Sequence, residues 1–170
     1  MSGKSEAGLE AASAGLFQGN AYVITPVETA AVQTNFKAIA IIEQLASSLG
    51  SRLYRCAPTA HDRAVAWISH LPVMVSTNLI HVALQEPDET VRAMAQNLAS
   101  SGFKDTSRVG GGNPELGLMM AQYNRHELLR SLKRYQSAIA QTIDCLEAED
   151  WNALADKLAT SKASRAQFVE

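Results

Sequence analysis

Arg108, Asp105 and Lys104 fall within one polar, glycine-rich stretch from Ser100 to Gly117, and no side chains here are better suited to holding an anion. A guanidinium grips a carboxylate through two parallel hydrogen bonds. Asp105 would orient or partly neutralise Arg108 in the absence of a ligand; the alternative is a surface arginine paired to Asp105. The stretch reads as a long loop between apolar helices, and such a loop in a compact domain is usually functional or disordered. Gly110-Gly-Gly-Asn-Pro114 lacks both G-x-x-x-x-G-K-[ST] and G-x-G-x-x-G and follows no strand, which argues against a phosphate loop. Its glycines are instead expected to let the backbone approach another chain or a ligand closely.

His70 is the second candidate. It precedes Leu71-Pro72, and Met74, Thr77, Asn78 and His81 continue a mildly polar stripe from it. One reading is a histidine satisfied by a carbonyl that Pro72 leaves free. The other is a ligand-facing donor whose charge responds near neutral pH. His61-Asp62-Arg63 reads as a solvated first turn. No Ser-His-Asp grouping, paired acids or H-E-x-x-H is recognisable. The two cysteines, Cys56 and Cys145, are far apart without C-x-x-C partners, which argues against zinc and for a reducing compartment.

The elements that must carry these residues are mostly helices. Ala21-Tyr-Val-Ile-Thr25 and Arg52-Leu-Tyr-Arg-Cys56 are β-rich runs, each followed by a proline, and residues 29–49 between them have helical spacing with Gly50 at the C′ position. Strand, helix, strand at this length is a βαβ unit with parallel strands. Two strands alone make no stable sheet, so further strands are expected upstream.

From Pro58 on, the pattern is helical. Ile68, Leu71, Val75, Leu79 and Val82 mark a long helix over residues 59–85, with a kink expected at Ser69–His70 because of Pro72. Asp88 is placed to cap a helix reaching about Ser100, Pro114 to open another, and Asp150 to cap a last one through Trp151, Leu154 and Leu158. Residues 125–148 carry Leu128, Leu132, Tyr135, Ile139, Ile143 and Leu146 at helical spacing. Apolar stripes this numerous point to burial against a second copy of the chain.

Composition narrows the function classes. With 46% hydrophobic and 19% charged residues and a net charge of −2, the 170-residue chain reads as a soluble globular protein. It has neither the basic face of a nucleic-acid binder nor the Lys/Arg cluster of a membrane-surface protein. No apolar signal core opens it, and no run approaches the roughly 18 consecutive apolar residues that span a bilayer. A cytoplasmic protein is expected.

Three motifs together carry a resemblance: His61-Asp-Arg-Ala-Val-Ala-Trp-Ile-Ser-His-Leu-Pro72, Ser101-Gly-Phe-Lys-Asp-Thr-Ser-Arg108 and Gly112-Asn-Pro-Glu-Leu-Gly117. In this order they resemble the prephenate/arogenate dehydrogenase family of tyrosine biosynthesis, most of all the cyanobacterial-type arogenate dehydrogenases. The resemblance covers nearly the whole chain. It implies a mainly α fold: a helical dimerisation domain like the C-terminal domain of 6-phosphogluconate dehydrogenases (residues 59–170), preceded by a residual βαβ of a nucleotide-binding Rossmann domain (residues 1–58).

The same resemblance implies homodimerisation, NAD or NADP as cofactor in the full-length parent, and a dicarboxylate or amino-acid substrate. It implies that Arg108 binds a substrate carboxylate, that His70 is a substrate-pocket histidine, and that Asp105 and Lys104 belong to an ionic network near the dimer partner. Met1-Ser-Gly3 matches the tail of the family's His-Pro-(Met/Ile)-(Ala/Ser)-Gly motif, so Gly3 would line the pocket and the catalytic histidine would lie just upstream of Met1. The implied reaction is oxidative decarboxylation, with this chain alone expected to be inactive. The alternative is a stand-alone helical dimer with a structural or regulatory role. Other two-domain dehydrogenases, of the 3-hydroxyacyl or 6-phosphogluconate type, fit the architecture but not the motifs.

Overall fold

In a computed structural model, residues 8–27 and 35–169 are described. Two compact units divide the chain after Leu128.

The first unit opens with a parallel strand pair, β1 (Ala21–Ile24) and β2 (Arg52–Arg55), in the register Ala21↔Arg52 through Ile24↔Arg55. Between them runs α1 (Phe36–Ser48), whose N-terminal turn is closed by Asn35 Oδ1 accepting from the Ala38 N–H at 3.0 Å. The expected βαβ unit is therefore present. The first part of its predicted helix, residues 29–34, lies outside the described residues.

Helix α1 ends in a Schellman motif. Ser51 N–H donates to Ala46 O and Gly50 N–H to Ser47 O, with Gly50 at φ 76°. That reversal lets Gly19 N–H reach Gly50 O at 2.8 Å and Arg52 N–H reach Asn20 O at 2.8 Å, which aligns the strands. Arg55 of β2 clasps Glu43 of α1 through Nε and Nη2, holding the Glu43 carboxyl below its ordinary range and the guanidinium above its own.

The long predicted helix forms as α2 (Pro58–Val65), a π-helical turn (Ala66–His70) and α3 (Leu71–Leu84). Taken together these 27 residues are long and apolar enough, by length and composition alone, to cross a membrane, although no uninterrupted apolar run is present. Asp62, Arg63, Ser69, His70, Ser76, Thr77 and Asn78 interrupt the apolar residues.

Asp88 caps α4 (Glu89–Leu98), its Oδ1 accepting from Thr90 N–H at 2.8 Å and Val91 N–H at 3.1 Å. Then come α5 (Ser101–Ser107) and α6 (Pro114–Tyr123), the latter capped by Asn113 Oδ1 with Pro114 in its first turn.

Helix α7 (Arg125–Glu147) runs on into the second unit, where α8 (Trp151–Ser164) follows. Asp150 caps α8 by accepting from Ala153 N–H at 2.9 Å. Lys157 Nζ ties α8 to α7 through Ala138 O at 2.9 Å and Thr142 Oγ1 at 2.6 Å. No apolar side chain of residues 129–169 is fully buried.

Candidate functional site

Pro72 shapes the first half of the site. It has no N–H to give the Ile68 carbonyl one turn back, so regular α-helical bonding fails there. The chain responds by widening to a π turn in which Leu71 N–H donates to Ala66 O, five residues back. The disturbance lies where the sequence predicts it, and its form is a π turn, a feature frequent at functional sites. His70 closes that turn and is half-buried.

A residue that sequence reasoning missed holds His70. Asn124 Nδ2 lies 3.2 Å from His70 Nδ1 and 2.7 Å from the Asp62 carbonyl oxygen. Burial pushes the His70 imidazole below its ordinary pKa; the Asp62 carboxylate works against this, and His61 adds to it. Among the described residues, Nε2 of His70 has no hydrogen-bond partner.

The second half is set by Gly110. Its N–H donates to Ser76 Oγ at 2.7 Å, and Ser76, on α3, is fully buried. A Cβ added at Gly110 would lie 2.5 Å from the Ser76 carbonyl carbon and closer still to Thr77 N. The sequence reading expected the glycines to admit another chain or a ligand; at Gly110 the neighbour is instead the backbone of the chain's own helix α3. Ser76 is six residues beyond His70 on α3, or about 9 Å along the axis at 1.5 Å per residue. Arg108 precedes Gly110 by two residues, so the segment carrying it is docked on the helix that His70 leads into.

The expected loop from Ser100 to Gly117 needs correction. Residues Ser101–Ser107 are helical, with Lys104 N–H donating to Ser100 O at 2.9 Å and Thr106 Oγ1 to Gly102 O at 2.8 Å. Only residues 108–113 separate α5 from α6. Local propensity for a helix is weak in Ser-Gly-Phe-Lys-Asp-Thr-Ser. Tertiary packing overrides it: Phe103 joins Ile80, Leu84 and Leu98 in lining a 510 Å³ apolar cavity of α3, α4 and α5. Neither His70 nor Arg108 lines that cavity.

Arg108 is thus the C-cap of α5. Arg108, Asp105 and Lys104 are all exposed, and among the described residues none of them makes an ion pair. Gly3 lies outside the described residues. No group of three or more potential metal ligands occurs among the described residues.

Residues 57–160 match the family described as prephenate dehydrogenase, dimerization domain. The chain belongs to this family. Both His70 and Arg108, with Asn124 and Gly110, lie inside the matched span. The chain is 24% identical over 165 residues to a prephenate dehydrogenase of Bacillus subtilis, covering 97% of this chain and 43% of that protein. It is equally similar, at 24%, to a cyclohexadienyl dehydrogenase of Zymomonas mobilis, covering 55% of it.

Among solved structures, Synechocystis arogenate dehydrogenase superposes with a TM-score of 0.84 at 46% identity, over 91% of this chain and 54% of that one. Prephenate dehydrogenase from Aquifex aeolicus, solved in complex with hydroxyphenyl propionate and NAD+, shares the fold with a TM-score of 0.88 at 19% identity, over 98% of this chain and 56% of that one. The chain therefore shares its fold with these two structures, and it spans about half the length of the relatives it matches.

Proposed function

We propose that this chain is the substrate-binding and dimerisation portion of a dehydrogenase that oxidises and decarboxylates arogenate or prephenate. The observation that carries the reading is the dimerization-domain match over residues 57–160, which takes in His70 and Arg108 together. The likeness to an arogenate dehydrogenase at 46% identity makes arogenate the first substrate to try.

In this reading Arg108 holds a substrate carboxylate. Its guanidinium is exposed and makes no ion pair among the described residues, so a bidentate grip costs no internal bond. The fixed seat of Gly110 on Ser76 keeps the residues around it from drifting, and such positioning contributes several kcal/mol to lowering a barrier in favourable cases. His70 serves as a neutral hydrogen-bond donor to a second oxygen of the same small molecule, in keeping with its lowered pKa. Lys104 and Asp105, one turn earlier on α5, form the charged border of the site and set the local field for an anionic ligand.

The nicotinamide cofactor, NAD or NADP, is assigned to the portion of the relatives that this chain does not span. The sequence contains no G-x-G-x-x-G, the fingerprint of a pyrophosphate-binding turn. The working assembly is a homodimer. Support comes from the family and from the open apolar faces of α7 and α8, where Ile139, Ile143, Leu146 and Leu158 are 45–63% exposed.

The test is hydride transfer by the protein at the full length of its relatives, on arogenate and prephenate with NADP and NAD, beside Arg108→Ala. Turnover, with kcat/KM falling at least roughly a hundredfold in the variant (about 2.7 kcal/mol), is the expected result. A folded, nucleotide-binding protein that turns over neither substrate overturns the reading.

A further inference from the structure

We propose that Asn124 sets the tautomer of His70, keeping the ring proton on Nε2 so that this N–H is the group offered to a ligand oxygen. That the N–H meets substrate rests on the function proposed above; the tautomer rests on contacts within this chain.

The Asp62 carbonyl oxygen can only accept a hydrogen bond, so the Asn124 atom 2.7 Å from it must be the hydrogen-bearing Nδ2. This settles which way the amide faces. The same Nδ2 lies 3.2 Å from His70 Nδ1, with its second hydrogen still to place. A hydrogen on Nδ1 would set N–H against N–H. Nδ1 is therefore the acceptor, and a neutral imidazole that accepts at Nδ1 carries its proton at Nε2.

The amide cannot easily swing away. Asn124 stands between α6 and α7 with non-helical dihedrals, φ −122° and ψ 33°. Its N–H donates to Met120 O at 3.1 Å and its carbonyl accepts from Leu128 N–H at 3.0 Å, so one helix holds it from behind and the next from ahead. The side chain thus bridges from this junction to Asp62 on α2 and to the last residue of the π turn. It also opposes formation of the imidazolium, which would have to place a proton on Nδ1. The charged neighbours bearing on His70 are the Asp62 carboxylate, which favours that proton, and His61, which resists it. Asn124 is a positioning residue; it acts on a ligand only through His70.

Proton–nitrogen correlation spectra of the histidine rings of this chain test the proposal, with His70→Gln assigning the His70 signals among the four histidines. The native chain is expected to show His70 with Nε2 protonated and Nδ1 bare. Asn124→Asp replaces the donor by an acceptor and is expected to invert the tautomer, moving the proton to Nδ1. A native His70 protonated at Nδ1, or an Asn124→Asp protein of unchanged fold that keeps Nε2–H, overturns the proposal. Should Asn124→Asp fail to fold, Asn124→Ala decides: an upward move of the His70 titration midpoint supports the assignment, and an unmoved midpoint refutes it. No substrate enters these spectra. A failure of the dehydrogenase reading leaves them unaffected, and a failure here leaves the turnover test standing.

Discussion

The surroundings of His70 and the helix pair of residues 129–169 differ in what they leave unfinished. Around His70 the polar groups are matched within the chain: Asn124 meets both His70 and Asp62, and buried Ser76 receives the Gly110 N–H. In the second unit it is apolar surface that is left open. Lys157 stitches α8 to α7, while Tyr135, Ile139 and Ile143 line an open 280 Å³ cleft beside it and no apolar side chain is fully buried. One region is a polar framework held within the chain, with His70 Nε2 left open among the described residues. The other is an apolar surface that becomes a core only when something covers it. The site geometry is therefore expected to be a property of the single chain, and the stability of the helix pair a property of the assembly.

The sharpest way to break that comparison is Ile143→Asp. Covering an aliphatic side chain is worth about 1.5–3 kcal/mol, and a symmetric dimer buries two copies. A weakening of self-association by at least roughly a hundredfold is expected, seen by sedimentation over a protein dilution series. The His70 ring signals should barely move. An unchanged dimer would mean that this face is not the interface, and the contrast between the regions would fail.

Gly110→Ala attacks the other region. The added methyl meets helix backbone rather than the end of a flexible side chain, so neither partner gives way cheaply. A loss of about 1–3 kcal/mol in denaturant unfolding is expected, as for other overpacked sites. Gly111→Ala is the control: its Cβ would find only Arg108 O at 3.9 Å, an ordinary contact, and a change within about 0.5 kcal/mol is expected. Equal losses in both variants would mean that the close seat on Ser76 is not what fixes the segment.

How much of this was legible beforehand divides along the same line. Elements with local signals were readable: the β-rich runs before Pro26 and Pro58, the caps at Asp88 and Asp150, Pro114 at a helix start, and the disturbance near His70 from Pro72. Helix α5 was not, because six of its seven residues are weak helix formers, only one of them, Phe103, is large and apolar, and its packing partners lie on α3 and α4. Asn124 left no periodic trace, since it meets His70 across 54 positions of sequence. The Gly110 signal was half-readable. Three glycines announce a close approach, but sequence spacing does not say whether the neighbour is a ligand, another chain or the same one.

The smallest expected effect concerns how the two regions close their helices. Helix α1 in the first unit and α7, which ends in the second, both finish in a Schellman motif with the same pair of bonds; at α7 these are Asp150 N–H to Cys145 O at 2.9 Å and Glu149 N–H to Leu146 O at 3.2 Å. The first unit places Gly50 at the left-handed position, whereas the second places Glu149 there, at φ 51°. For a residue with a Cβ, that conformation costs roughly 1–2 kcal/mol. Glycine removes the cost but gains freedom in the unfolded chain, which returns about 0.4–1 kcal/mol. Glu149→Gly should therefore stabilise by roughly 0.5–1 kcal/mol, read as a raised denaturation midpoint at constant m-value. Gly50→Ala should do the reverse, and there the new Cβ would also press on Gln18 Cγ at 3.3 Å. If Glu149→Gly instead destabilises, the Glu149 side chain contributes more to the α7–α8 turn than its backbone conformation costs, and the second unit is less unfinished than its exposed apolar faces suggest.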